Sequence, residues 1–194
     1  GHMSKKAILL IYRKIINNTP ESLSTLRHKW SQDIGEIPNE DWVEATASPR
    51  EVGIRAGFRL IQLKILHRTY YAPTVMFKMG RAETDLCRRK CGEKGSFYHV
   101  LWSCPSVTQY WSKIIDCINS VTGINTELTP KLCLLNIWEA TDLSRMTPLW
   151  VTLGLGVAKR NIARLWGAEN PPLLRDWQAD MDWNMLPEKV VNAS

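Results

Sequence analysis

Between Cys87 and Cys104 the chain reads CRRKCGEKGSFYHVLWSC, a C-x3-C-x7-H-x4-C spacing. Three thiols and one imidazole, Cys87, Cys91, His99 and Cys104, are the ligand types that a tetrahedral divalent ion of borderline softness takes. The first two cysteines are close enough for one tight turn, in which Gly92 can adopt a left-handed conformation. The four residues between His99 and Cys104 let one turn of chain come back to the same ion. Four protein ligands close the shell and leave no position for a catalytic water, so the expectation is a structural Zn2+ site. The bland alternative is three unrelated buried cysteines and a core histidine; four ligand types in this order within eighteen residues favour the ion. Cys117 and Cys133 lie on apolar segments and read as packed core thiols.

The second chemistry is charge. Eleven cations stand against four carboxylates between residues 50 and 94, an excess of seven, while the whole chain carries +6. The rest of the protein is therefore close to neutral. A localised excess of this kind is what phosphate binding by counterion release requires. The expected contacts are Arg55, Arg59, Lys64, Arg68, Lys78, Arg81, Arg88, Arg89, Lys90 and Lys94, with Tyr71 and Tyr98 as platforms for unpaired bases. A smaller cluster, Lys159, Arg160 and Arg164, joins them; pairing with acidic residues near the C-terminus is its competing reading. Trp102, just before Cys104, reads as packing under the metal loop.

These groups must be positioned by helices. Apolar residues step by three or four throughout, and no alternating pattern long enough for a strand occurs, so the fold class is all-α, an irregular helical bundle with an inserted CCHC zinc knuckle. Helices are expected over 5–17, from Pro20 to about Gly35, and briefly after Asn39. The longest is expected over 50–71, starting at Ser48-Pro49 and apolar on two faces, hence central. One turn follows Pro73, and Pro105 opens a clean amphipathic helix ending near Gly123. Further helices follow Pro130, Pro148 and Pro171-Pro172. The expected partition is a vector remnant at 1–3, an N-terminal helical part at 4–80, the knuckle at 81–106 and a C-terminal helical part at 107–194, all in one compact domain. The remnant, Gly1-His2-Met3, implies an excised segment of a longer protein.

Several segments in order resemble the C-terminal region of LINE-type (non-LTR) retrotransposon reverse transcriptases: QLKILHRTYYAPTVMFKMG, the Cys–His run with its trailing W-x-C-P, VAKRNIARLW, and PPLLRDWQADMDW. The resemblance runs from about Trp30 to the end. It implies a carboxy-terminal module that follows endonuclease and polymerase parts in one polyprotein, binds RNA and serves target-primed reverse transcription. It carries metal ligation over to Cys87, Cys91, His99 and Cys104, and specifies no individual RNA contact.

The implied partners are RNA, an RNA–DNA hybrid or target DNA, and the upstream polymerase domain of the same polyprotein. No membrane partner is expected, since no run of eighteen apolar residues occurs. Five cysteines, an odd number without a secretory signal, point to a reducing, cytoplasmic and nuclear location. No polymerase-type aspartate pair, P-loop, Rossmann or G-x-S-x-G signature occurs, and Asp180 and Asp182 fall on different sides of a helix; the segment reads as non-catalytic. The rival reading is a protein-interaction lobe that buttresses the polymerase without touching nucleic acid.

Overall fold

In the computed structural model, residues 20–51, 56–138 and 146–185 are described. The expected helix over 5–17, and Ile54 and Arg55 of the long helix, lie outside them. The chain divides into two compact units, Gly1–Trp42 and Val43–Ser194. The described residues are mostly helical, and their only β-type pairing is an isolated antiparallel bridge between Leu86 and Lys94.

In the first unit, α1 (Pro20–Ile34) starts at the proline that the sequence marked. Gly35, at φ +85°, ends it. Trp30 is fully buried, and the Arg27 guanidinium donates to Asn39 Oδ1 at 3.0 Å.

α2 (Asn39–Glu51) runs through Ser48-Pro49, where the start of a new helix was expected. α3 (Ala56–Leu66) ends four residues before Tyr70, short of the 50–71 expected. Its stop is a Schellman turn built on an unmarked residue. Arg68 takes φ 53°, the Thr69 N–H reaches back to the Lys64 carbonyl at 2.9 Å and the Arg68 N–H to that of Ile65 at 2.9 Å. No glycine stands at that position to mark the stop. Only one face of α3 is buried, through Phe58, Gln62, Ile65 and Leu66, while Leu60 is 54% exposed. Of the second apolar stripe Leu60 faces out while Leu63, His67 and Tyr70 are half-buried, and α3 is not the central helix.

That place belongs to α7 (Met146–Arg164). Among the described elements it packs against α3, α5 (Pro105–Thr122), α6 (Pro130–Leu135) and α8 (Leu174–Met185). Val151, Leu155, Val157, Ala158 and Ile162 are fully buried, covering most of its circumference, as a helix packed by several neighbours requires. Its two glycines permit this. A Cβ on Gly154 would sit 3.0 Å from Ile118 Cδ1, and the Trp177 indole N–H donates to the Gly154 carbonyl at 2.8 Å.

α5 follows the sequence closely: Pro105 occupies the first turn, Val107, Tyr110, Trp111, Ile114, Ile115 and Ile118 are buried, and Gly123 closes it at φ 71°. α6 is capped by Thr129, whose hydroxyl accepts the Leu132 N–H at 3.2 Å. Short α4 (Pro73–Lys78) connects α3 to the Cys–His loop. No described helix is long and apolar enough to cross a membrane.

Candidate functional site

The first half of the Cys–His loop is a small hairpin. The Leu86–Lys94 bridge closes it, with the Cys87 N–H donating to the Glu93 carbonyl and the Gly95 N–H to that of Asp85, both at 2.8 Å. Its tip needs two left-handed residues, Lys90 at φ 58° and Gly92 at φ 86°. The Lys90 N–H bonds the Cys87 carbonyl at 3.1 Å, so Cys87 and Cys91 come round one turn to the same side.

The second half is a capped turn. Ser96 Oγ accepts the His99 N–H at 3.0 Å, the geometry of a helix N-cap. A π-helical turn then spans His99–Ser103, closed by the Cys104 N–H to the His99 carbonyl at 2.9 Å. The wider π turn brings His99 and Cys104, five positions apart, onto one side.

The ligand atoms of Cys87, Cys91, His99 and Cys104 all lie within 4.8 Å of one another, a group able to hold a metal ion. Cys87 Sγ and Cys104 Sγ are 3.9 Å apart, and Cys91 Sγ is 3.2 Å from His99 Nε2. His99 therefore turns Nε2 inward, while Nδ1 lies 3.4 Å from Ser103 Oγ, a partner that fixes the ring. Ser106 Oγ is 3.3 Å from Cys104 Sγ.

Burial pushes the Cys87 thiol up to about 11, and the neighbouring Cys91 and Cys104 add to it. Burial also opposes the Cys104 thiolate, but hydrogen bonds from Ser106 outweigh it and hold that thiol below its ordinary value. His99 is lowered by burial, which keeps its imidazole neutral and ligand-competent.

The loop is fastened to the helices by packing. A Cβ on Gly95 would fall 2.6 Å from Pro73 Cγ, so only glycine allows α4 this close, and the Gly95 carbonyl accepts the Thr74 N–H at 3.2 Å. Phe97, from the loop, lies 5.3 Å from the Trp166 ring, which stacks on Tyr70 at 5.0 Å. The Trp166 indole N–H donates to the Tyr71 carbonyl at 2.9 Å. Trp102 packs against Trp111 at 6.0 Å, and the Trp111 indole N–H bonds the Leu101 carbonyl at 3.0 Å, matching the core role expected for Trp102.

The expected basic contacts separate into three groups. Arg59, Lys78, Arg81 and Arg88 are exposed and have no ion pair among the described residues, and Tyr71 is 60% exposed beside them in sequence. A second group is exposed or half-buried but engaged. Lys64 lies 5.8 Å from the Tyr70 ring and Arg68 4.8 Å over Phe97. Lys90 pairs with Glu169 at 2.6 Å and Lys94 with Asp85 at 3.4 Å. Arg160 lies 5.6 Å over Phe58, and Tyr98 is half-buried.

The third group hydrogen-bonds within the chain. Lys159 is buried at 2% exposure and donates to Asn136 Oδ1 at 2.7 Å, because it sits on the enclosed helix α7. Arg164 bonds Asp180 at 3.0 Å, the acidic pairing that competed with the surface reading. Arg89 is half-buried and turned inward, donating to the Val100 carbonyl at 3.0 Å.

Sequence reasoning missed the supports: Ser96, Ser103, Ser106, Gly95 and Trp166. It also missed the exposed apolar residues Val75, Phe77, Met79 and Leu86 beside the free cations in sequence. A serine three residues before His99 was the one readable cue. The chain matches no protein-family model.

Proposed function

We propose that this chain is a non-catalytic nucleic-acid-binding module in which Zn2+, held by Cys87, Cys91, His99 and Cys104, stiffens a basic loop. The donor set supports zinc. Zn–S bonds of about 2.3 Å at tetrahedral angles put two sulfurs about 3.8 Å apart, and a sulfur and a nitrogen about 3.6 Å apart. The observed 3.9 and 3.2 Å lie near those edges. Such an ion, when bound, neutralises thiolates that otherwise resist ionising side by side; its role is structural.

The observation that carries the binding reading is the set of exposed cations with no ion pair among the described residues, Arg59, Lys78, Arg81 and Arg88, the last on the loop itself. Cations free of internal partners are the ones able to exchange counterions for phosphates. The resemblance to LINE-type reverse transcriptases supports RNA, an RNA–DNA hybrid or target DNA as the ligand. In that setting the module positions template or target for the upstream polymerase of the same polyprotein, inside the cell.

Binding of the chain to single-stranded RNA across a salt series tests this. We expect affinity to fall steeply with salt, and charge reversal at Arg59, Lys78, Arg81 and Arg88 to weaken it and flatten the salt slope, by about one per lost phosphate contact. Salt-independent binding, or reversal without effect, sinks the reading. One observation favours a protein-docking lobe instead. Tyr71, Val75, Phe77 and Met79 expose apolar surface within nine residues, each at least 40% accessible. No RNA shift at low salt, with nucleic acid-free capture of a polymerase fragment lost on Phe77→Glu, would select that alternative.

A further inference from the structure

Away from the Cys–His loop the molecule holds a second concave surface. It is an open groove of about 390 Å³ between the C-terminal half of α5, the first turns of α7, and α8. Trp150 lines it, and Trp150 and Arg164, near opposite ends of α7, are about 20 Å apart along the helix axis. The groove therefore lies far from the Trp166 contact with the loop. Its floor is Trp177 and Met181, at 4% and 3% exposure. The floor is fixed from behind: the Trp177 indole N–H donates to the Gly154 carbonyl at 2.8 Å, and a Cβ on Gly154 would come within 3.3 Å of that ring. Trp150 and Cys117 line the walls half-buried, and Val121 carries the apolar surface out to solvent at 63% exposure.

The charged residues that line the groove are Asp116 and Asp182, with no cation beside them, on a chain that carries +6. Both are exposed, and neither has an ion pair among the described residues. On α8 this sets Asp182 apart, since Asp176 pairs with Arg175 at 3.7 Å and Asp180 with Arg164 at 3.0 Å. An apolar floor under a charged rim is the anatomy of a protein interface. The volume falls at the small end of the range for ligand pockets, about 300–1,000 Å³, and the groove is open, which suits a side chain presented from outside better than an enclosed molecule. Two carboxylates without cations repel phosphate and attract lysine or arginine, so the complementary ligand is basic and is not a nucleic acid.

We propose that this groove docks a basic amphipathic segment of a partner protein. An apolar side chain of that segment seats on Trp177 and Met181, and lysines or arginines on either side of it answer Asp116 and Asp182. The site shares no residue with the Cys–His cluster, the exposed cations or the apolar run from Tyr71 to Met79, so it stands whether or not the readings above hold.

The probes are three synthetic peptides on one helical template. The first sets leucine and tryptophan between lysines and arginines, the second keeps that apolar face between glutamates, and the third keeps the cations around a serine face. Each is labelled and titrated with the full chain by fluorescence anisotropy at physiological salt, without nucleic acid. Alkylation of Cys117 by iodoacetamide, followed by mass spectrometry, reports whether the groove is covered. We expect the first peptide alone to bind and to slow Cys117 alkylation several-fold. Asp116→Asn with Asp182→Asn should weaken it by about 5- to 20-fold, the size of two exposed charge contacts. Asp116→Lys with Asp182→Lys should turn the preference toward the glutamate peptide. No binding of the first peptide overturns the inference, as does equal binding of the serine or glutamate peptide, full affinity in the asparagine pair, or Cys117 left unprotected in the complex. If Cys117 does not react in the free chain, or the lysine pair loses its helix content by circular dichroism, the asparagine pair decides, its weakened binding supporting the inference and unchanged binding overturning it.

Discussion

The Cys–His loop and the bundle around α7 hold their shapes by different means. The bundle is closed by area: α7 is buried over most of its circumference and α5 buries a continuous apolar face. The loop has one β-bridge, one capped turn and a cluster of four ligand groups. Apolar burial stabilises in proportion to area and tolerates small losses, whereas a ligand set of four acts nearly all-or-none. The chain therefore pairs a region whose stability is spread over many side chains with one whose stability is concentrated in a few.

The sharpest way to break this contrast is to remove the ion. Chelation, or Cys104→Ser, should open residues 84–104 while most helical signal survives. Apparent zinc contributions in small metal-folded units reach about 10 kcal/mol or more, the largest effect expected here. Hydrogen exchange with and without chelator checks it; loss of protection throughout α5 and α7 would show that the two regions do not differ. The reciprocal experiment truncates the bundle. Ile114→Ala, at a fully buried position on α5, should lower stability by about 2–5 kcal/mol yet leave zinc affinity unchanged, measured by denaturant titration and chelator competition.

A smaller effect comes from Lys159. Burial lowers its ammonium to about 7, and the nearby Cys133 thiol, pushed up to about 12 by burial, partly opposes the fall. A base depressed on folding is protonated in the unfolded chain and neutral in the native one above its folded value. Unfolding then takes up a proton, so stability rises with pH from about 7 toward the ordinary lysine range. Above the ordinary thiol value of 9.0 the Cys133 proton, retained only in the native state, works against this. Thermal unfolding at fixed zinc should therefore show stability climbing by up to about 1.4 kcal/mol per pH unit between about 7 and 9, with Lys159→Met flattening the slope. The smallest change is Thr129→Ala, which removes the cap of α6 and should cost about 1 kcal/mol by the same measurement.

The regions also differ in how far the sequence revealed them. Helices opened by proline and closed by glycine, such as α1 and α5, were legible because both punctuation marks are local. The end of α3 was not, since an arginine occupies the left-handed position and tertiary packing decides it. Periodicity marked two apolar stripes on that helix but not which was covered, and Pro148 marked α7 but not its central place, because its glycines lower local propensity while admitting its neighbours. The convergence of Cys87, Cys91, His99 and Cys104 was readable from type and spacing. The basic surface was readable only as a total. Charge counting cannot distinguish Arg88 in solvent from Arg89 under the loop, or from Lys159 in the core.

Trp166 gives the loop one of its mechanical routes into the helices. Its ring meets Phe97 on one side and Tyr70 on the other, and its N–H grips the chain at Tyr71, just before α4. Strain arriving at Phe97 would pass through that indole to the C-terminal end of α7 and the start of α4 together, as through a rivet joining two plates.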